Sequence, residues 1–377
     1  MSGTTDQPSK IQQRLDHVFS TPQVLLQELA GVGYLTDMVT AHAVWYAYKL
    51  DRPILQEGPA GAGKTQLALS LSKATGMEII RLQCYTGITD DKAIGRYDRA
   101  LQELFVLAKR EEQMDFSTLR KEISNRKFFL PGPLLQAIES PTKCILLIDE
   151  IDKVPHEFEA MLLELLSVWE ISAPGLGTIA ATTRPLTILT SNAERDLADP
   201  LRRRSVYLMV QHPTPEIEAR IVSLKTQALP IETHVFIAGL AKTLRIFSLR
   251  KPPSISEMGD IAQAMELLGK TSILPEDREL FLPLLAKRPE DIDSLRLREK
   301  FSAIVIQAKD FVTRAKLHLA VRQGRLRQEV LQLKVEQIRA SQDLQQLLKD
   351  LEFTEFPGTI LREMEAETGR LGNRSHA

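Results

Sequence analysis

The sequence predicts an α/β fold: a parallel sheet at the core, followed by a helical lid domain and a long-helix extension. Three observations carry this. The apolar run Pro53-Ile54-Leu55 leads into Gly58-Pro59-Ala60-Gly61-Ala62-Gly63-Lys64-Thr65, which opens the helix-like Gln66-Leu67-Ala68-Leu69-Ser70-Leu71. Ile145-Leu146-Leu147-Ile148 is apolar without alternation, as expected of a central parallel strand buried on both faces, and ends in Asp149-Glu150. Beyond His212-Pro213-Thr214-Pro215, β-branched residues become sparse and helical patterns take over.

The glycine-rich stretch is a complete phosphate-binding loop between a strand and a helix. Gly58, Gly61 and Gly63 permit turns closed to residues with a side chain, so backbone N–H groups can face phosphate oxygens with help from the helix N-terminus. The candidate nucleotide-binding residues are Gly58, Pro59, Ala60, Gly61, Ala62, Gly63, Lys64, Thr65 and Gln66. Lys64 is expected to reach the β- and γ-phosphates, and the Thr65 hydroxyl to ligate Mg²⁺. The expected ligands are therefore ATP and Mg²⁺, although such a loop serves GTP equally well.

Alone, Asp149-Glu150 would read equally well as a solvated acidic strand end; beside a phosphate loop it reads as hydrolytic machinery. Asp149 is placed to hold Mg²⁺ through its water shell and Glu150 to polarise the attacking water, where a kinase would need a hydroxyl acceptor. A third β-rich segment, Thr187-Ile188-Leu189-Thr190-Ser191-Asn192, ends on Asn192, the candidate sensor of the γ-phosphate. It is followed by Arg195-Asp196-Leu197-Ala198-Asp199-Pro200-Leu201-Arg202-Arg203-Arg204. One of the closing arginines is expected to act in trans on a neighbour's nucleotide, Arg204 first and Arg203 second. A solvated basic helix end, favoured by the macrodipole, describes at least one of the three.

The order of phosphate loop, Ile-Asp-Glu-Ile-Asp strand end, Thr-Ser-Asn strand and Asp-Pro-Leu-Arg-Arg-Arg helix resembles the AAA+ ATPases, specifically the MoxR branch. Gly33-Tyr34-Leu35, Ile80-Arg81-Leu82-Gln83-Cys84-Tyr85, Pro131-Gly132-Pro133-Leu134-Leu135 and Leu176-Gly177-Thr178-Ile179-Ala180-Ala181 are similar to its CoxD-like members. The resemblance covers roughly Leu25 to Ile292. It implies a P-loop AAA+ core, a hexameric ring and a protein client to be remodelled, with a von Willebrand factor A domain partner. CoxD-type members imply maturation of molybdenum hydroxylases. It also implies that 174–183 forms a hairpin ahead of the sensor strand and that 88–131 is an insertion, both facing the pore. Pro and Gly between two β-prone pieces agree with a hairpin, which an ordinary surface hairpin would share. A second sensor arginine would correspond to Arg250, but Pro252 and Pro253 follow it closely and force an extended or turn backbone rather than a helix interior. Arg250 is then either a nucleotide ligand reaching from a loop or an exposed cation.

Composition bounds the rest. The 377 residues suggest two or three domains, and 43% hydrophobic with 26% charged residues is ordinary for a globular chain. A net charge of −1 gives no global attraction to nucleic acid or anionic membrane, so neither is an expected partner. No apolar run approaches a bilayer span and 1–10 lacks a secretion signal, which predicts a cytoplasmic protein. Cys84 and Cys144 are expected to be small buried thiols, and no metal besides Mg²⁺ is expected.

The expected organisation is a polar N-terminal segment over 1–21, the α/β nucleotide-binding domain over 22–212, a helical lid over 213–292, a helical or coiled-coil extension over 293–352 and a flexible tail over 353–377. The extension lacks proline and repeats Val305, Val312, Leu319, Leu326, Leu333, Ala340 and Leu347 in seven-residue steps, but Lys309, Lys316, Gln323 and Gln337 interrupt the second seam position. A helical hairpin packed on the ATPase body is the first reading, a partner-binding coiled coil the second. Two other functional classes share the nucleotide motifs. One is a DNA-directed AAA+ motor or loader, the other a scaffold whose assembly is gated by ATP.

Overall fold

The computed structural model describes residues 6–109, 115–247 and 249–372. The chain divides into two compact units after Gln211.

The first unit opens with α1 (Asp6–Val18), α2 (Pro22–Gly31) and α3 (Met38–Lys49). Strand β1 (Ile54–Glu57) then feeds α4 (Lys64–Thr75) and β2 (Ile79–Gln83). An insertion follows: α5 (Asp90–Ala93), β3 (Gly95–Tyr97), α6 (Arg99–Ala108), α7 (Phe116–Ile123) and β4 (Phe129–Pro131), with β3 and β4 paired antiparallel. After α8 (Pro133–Glu139) come β5 (Ile145–Asp149), α9 (His156–Val168), β6 (Glu170–Ala173), β7 (Gly177–Ala180), β8 (Leu186–Ser191), α10 (Asp199–Arg204) and β9 (Val206–Met209).

Five strands form one parallel sheet in the order β2-β5-β8-β1-β9. Both faces are covered, which explains the continuous apolar runs. Ile54, Ile145, Leu147 and Ile188 face a core shared with α1 to α4, while Leu55, Leu146, Ile148 and Leu189 face a second core shared with α8, α9 and α10. The crossovers leave β1, β5 and β8 ending side by side, and the residues just beyond those ends build the site described below. Strands β6 and β7 form an antiparallel hairpin in which Ile171 pairs with Ile179, and the turn uses Gly175 and Gly177 at positive φ.

The expected polar N-terminal segment is corrected over its described part. Leu15, Val18 and Phe19 are buried in the core of the α/β unit, and the Phe19 ring stacks on Tyr48. Helix α1 thus buries an apolar face as part of this domain.

The second unit is all helical: α11 (Pro215–Lys225), α12 (Ile231–Ile246), α13 (Ile255–Leu267), α14 (Arg278–Leu285), α15 (Pro289–Arg296), α16 (Arg298–Arg322), α17 (Val335–Ala340), α18 (Gln342–Lys349) and α19 (Gly358–Gly372). Thr214 caps α11 and Ser254 makes a full capping box on α13, so both starts are written locally in the chain.

Here the structure differs from three expectations. No break separates a lid ending at 292 from an extension: one core joins Ala219 and Val222 of α11, Leu240 and Leu244 of α12, Phe301, Ile304 and Val305 of α16, and Leu361 of α19. Helix α12 approaches α16 so closely that a Cβ on Gly239 would stand 2.8 Å from that of Phe311. The extension is not a coiled coil. Helix α16 ends at Arg322, Gly324 takes φ +69°, and Leu326, Val330, Leu333, Leu344 and Leu347 gather around Leu317, Ile338 and Leu348 in a small separate cluster. The tail expected to be flexible holds Phe353, Ile360, Leu361 and Met364 buried in the main core of this unit. Short apolar spacing, too sparse to read as periodic, suffices when a groove already exists to receive it. No described helix is long and apolar enough to cross a membrane.

Candidate nucleotide site

Glu57 ends β1 and the loop begins. Gly58 donates its N–H to Ser191 O at 3.2 Å, and a Cβ there would lie 1.9 Å from Val210 O, so only glycine fits between β8 and β9. Gly61 and Gly63 take φ of 77° and 91°, and Gly63 caps α4 without any side-chain bond to the first turn. No side chain therefore competes for α4's N-terminal N–H groups, and a helix N-terminus of this kind favours anions.

Lys64, the first residue of α4, is buried. Its ammonium donates to Gly58 O at 2.8 Å, Pro59 O at 2.9 Å and Asn192 Oδ1 at 2.8 Å. Burial pushes its pKa down, against the opposing pull of Asp152, Asp149 and Glu150. The ammonium thus sits among neutral oxygens, and an added phosphate would restore the solvation it has lost.

Thr65 donates to both carboxylate oxygens of Asp149, at 3.2 and 3.3 Å. Asp149 is buried and also accepts from Thr190 Oγ1 and, at 2.5 Å, from Arg81 Nη2. Glu150 takes φ +59°, a conformation rare for residues with a side chain and concentrated at functional sites. Its N–H donates to Thr190 Oγ1 at 2.9 Å, while its carboxylate accepts from Gln83 Nε2 at 2.9 Å and Lys153 Nζ at 2.7 Å. The Glu150 bond holds the Lys153 ammonium above its ordinary pKa.

Buried Asp152 accepts from the backbone N–H groups of Asn192 and Glu194, each at 3.1 Å, and so fixes the turn that aims Asn192 at Lys64. Arg195 donates to Asp152 O at 3.3 Å, Val154 O at 2.7 Å and buried Glu159. Cys84 and Cys144 are free and buried, and burial, reinforced by Asp149, Asp152 and Glu150, pushes the Cys84 thiol up to about 12.

The structure therefore brings Lys64, Thr65, Asp149, Glu150 and Asn192 together at one end of the sheet. It places Arg203 and Arg204 apart, exposed on α10 and outside this network among the described residues. Arg202 is the tethered member of that trio: it donates to Glu57 Oε1 at 3.0 Å, and Tyr207 donates to Glu57 Oε2 at 2.9 Å. In the helical unit, Arg250 lies in the loop before α13, its backbone N–H donating to Asp291 Oδ1 at 2.9 Å and its side chain exposed. Sequence reading assigned no role to Arg81, Gln83, Asp152, Lys153 or Thr190. The signal available was adjacency, since the register sets Gln83 beside Asp149.

The residues fit ATP and Mg²⁺. Three glycines open the backbone, a desolvated ammonium faces the loop, and the oxygen donors of Thr65 and Asp149 suit a small hard dication. Bound there, the metal would polarise phosphate oxygens and offset their charge.

Residues 54–205 match the model of AAA, the ATPase family associated with various cellular activities. Lon protease of Brucella suis biovar 1 (strain 1330) is 29% identical over 167 residues, which cover 42% of this chain and 17% of that protein. Lon protease of Brucella abortus (strain 2308) gives the same identity and coverage. The chain thus spans 17% of the length of these relatives. The loop, the acidic strand end and the arginine helix all lie inside the segment that matches the AAA model.

Proposed function

We propose that this protein is a ring-forming AAA+ ATPase that hydrolyses Mg²⁺-ATP to remodel or help mature a protein client. The observation that carries it is the convergence of Lys64 on Asn192 and of Thr65 on Asp149, with Glu150 held beside them in left-handed geometry. In this reading Lys64 and residues 58–66 hold the phosphates, and Thr65 and Asp149 serve the metal. Glu150 polarises the attacking water, and Asn192 contacts the γ-phosphate or that water.

The exposure of Arg203 and Arg204, on a helix anchored through Arg202 to Glu57, supports their presentation to a neighbouring subunit, with Arg204 the first choice. A hexameric ring follows the family resemblance. So do a pore-facing β6–β7 hairpin and 88–131 insertion, a von Willebrand factor A domain adapter and a molybdenum hydroxylase as the class of client, while a cytoplasmic setting rests on the sequence's short apolar runs and polar start. The test is Mg²⁺-dependent phosphate release from ATP by the wild type and Glu150→Gln, with nucleotide binding measured in parallel. Release by the wild type, lost in a variant that still binds ATP, supports the reading. A wild type that binds no nucleotide overturns it.

A further inference from the structure

Asp149 carries one full positive charge as a partner among the described residues, and it comes from Arg81 on β2. The two other groups on its carboxylate, the Thr65 and Thr190 hydroxyls, are neutral. The ends of the ion pair differ in freedom. The Asp149 side chain is 5% exposed and fixed at the end of a central strand, whereas the Arg81 side chain is 52% exposed, its other bond being donated to Gln83 Oε1 at 2.6 Å on the same strand, so that it can turn into solvent without disturbing the core. Arg81 Nη2 lies 2.5 Å from Asp149 Oδ2, one of the two oxygens that Thr65 also contacts. A dication that uses this carboxylate meets the guanidinium there first, and two cations cannot share one buried oxygen without strong repulsion.

We propose that Arg81 is a resident counter-ion that competes with the divalent cation for Asp149 and so sets the magnesium concentration at which nucleotide is held. The inference rests on the proposed nucleotide function and deepens it. Arg81 is in this sense a positioning residue: it holds the Asp149 carboxylate oriented, and it yields that carboxylate when the metal arrives with the phosphates.

The test uses the full chain and a fluorescent ATP analogue at fixed concentration, titrated with MgCl₂, for wild type, Arg81→Gln and Arg81→Lys. The magnesium midpoint for analogue binding falls about twofold to fivefold in Arg81→Gln, the range expected for release of a partly exposed ion pair. It falls less in Arg81→Lys, whose compact ammonium keeps the charge but loses the planar fork. A midpoint that is unchanged or raised in Arg81→Gln overturns the inference, even where the variant melts at a lower temperature. Should Arg81→Gln fail to fold, the Arg81→Lys midpoint decides by the same criterion. A wild type that binds no analogue at any magnesium concentration defeats the nucleotide reading itself, which separates the two failures.

Discussion

The Lys64 ammonium lies 2.8 Å from the Asn192 carboxamide oxygen across 128 positions of sequence. The contact exists because β1 and β8 are hydrogen-bonded neighbours whose ends stop level, Glu57 beside Ser191. It divides the roles of the two residues. Lys64→Ala removes the charge facing the phosphates, and nucleotide affinity falls at least about 10²-fold, as for a desolvated charge-assisted contact. Asn192→Ala leaves the loop intact, so binding changes little while kcat falls about 10- to 10³-fold. Equilibrium binding and steady-state ATPase assays on both variants check this split.

Glu150→Gln keeps the volume of the side chain and its reach to Gln83, but not its basicity. Phosphate release falls about 10²- to 10⁴-fold with nucleotide affinity retained, the range for loss of a positioned general base. Loss of binding and turnover together would show that Glu150 shapes the loop instead.

Gly58→Ala pushes a methyl group into the Val210 carbonyl, with 1.9 Å available. Relief requires moving either the β1 exit or β9. The expected cost is about 1–3 kcal/mol of stability, together with weaker nucleotide binding, because the first residue of the loop is displaced. Chemical denaturation and binding of the same sample test both parts.

His234 supplies a pH signature in the helical unit. It is buried, its Nε2 lies 3.0 Å from Thr226 O, and Nδ1 has no hydrogen-bond partner among the described residues. Burial lowers its pKa below 6.5, outweighing the opposite effects of the Thr226 carbonyl and Glu266. The unfolded chain therefore binds a proton at pH values where the folded one does not. Stability from this group is complete above 6.5 and is lost as pH falls below it toward the lowered folded-state pKa. Glu218 and Glu365, held above their ordinary values by burial, act with the opposite sign, so the comparison must be a difference. Melting temperature against pH for wild type minus His234→Gln isolates the histidine, and that difference narrows in the wild type's disfavour below pH 6.5.

The glycine-rich loop and the acidic strand end stood out in the sequence because phosphate and metal chemistry ask for fixed residue types and spacings within a few positions of each other, and the fold sets the two side by side. The parallel sheet was legible because strands covered on both faces must be apolar throughout. What surrounds the site was not. Arg81, Gln83 and Asp152 reach Asp149, Glu150 and Asn192 only after β2, β5 and β8 align, and no local pattern encodes that alignment. The seven-residue steps of the C-terminal region misled for a related reason. Val305 and Val312 are buried as a seam would require, but they face α12 and other parts of the helical core, and Gly324 ends the helix before the later members can join. Arg202, Arg203 and Arg204 look alike in sequence; only the fold shows that Arg202 is bound to Glu57 while the other two stay exposed.

The central claim is a hydrolytic site completed by a neighbouring subunit. Its most direct test is the ATPase rate per subunit against protein concentration, for wild type and Arg204→Ala, with mass determined in the presence of ATP. The account predicts a rate that rises with assembly and is lost in a variant that still binds ATP and still assembles. A monomer whose rate per subunit is flat with concentration and unaffected by the substitution would contradict it.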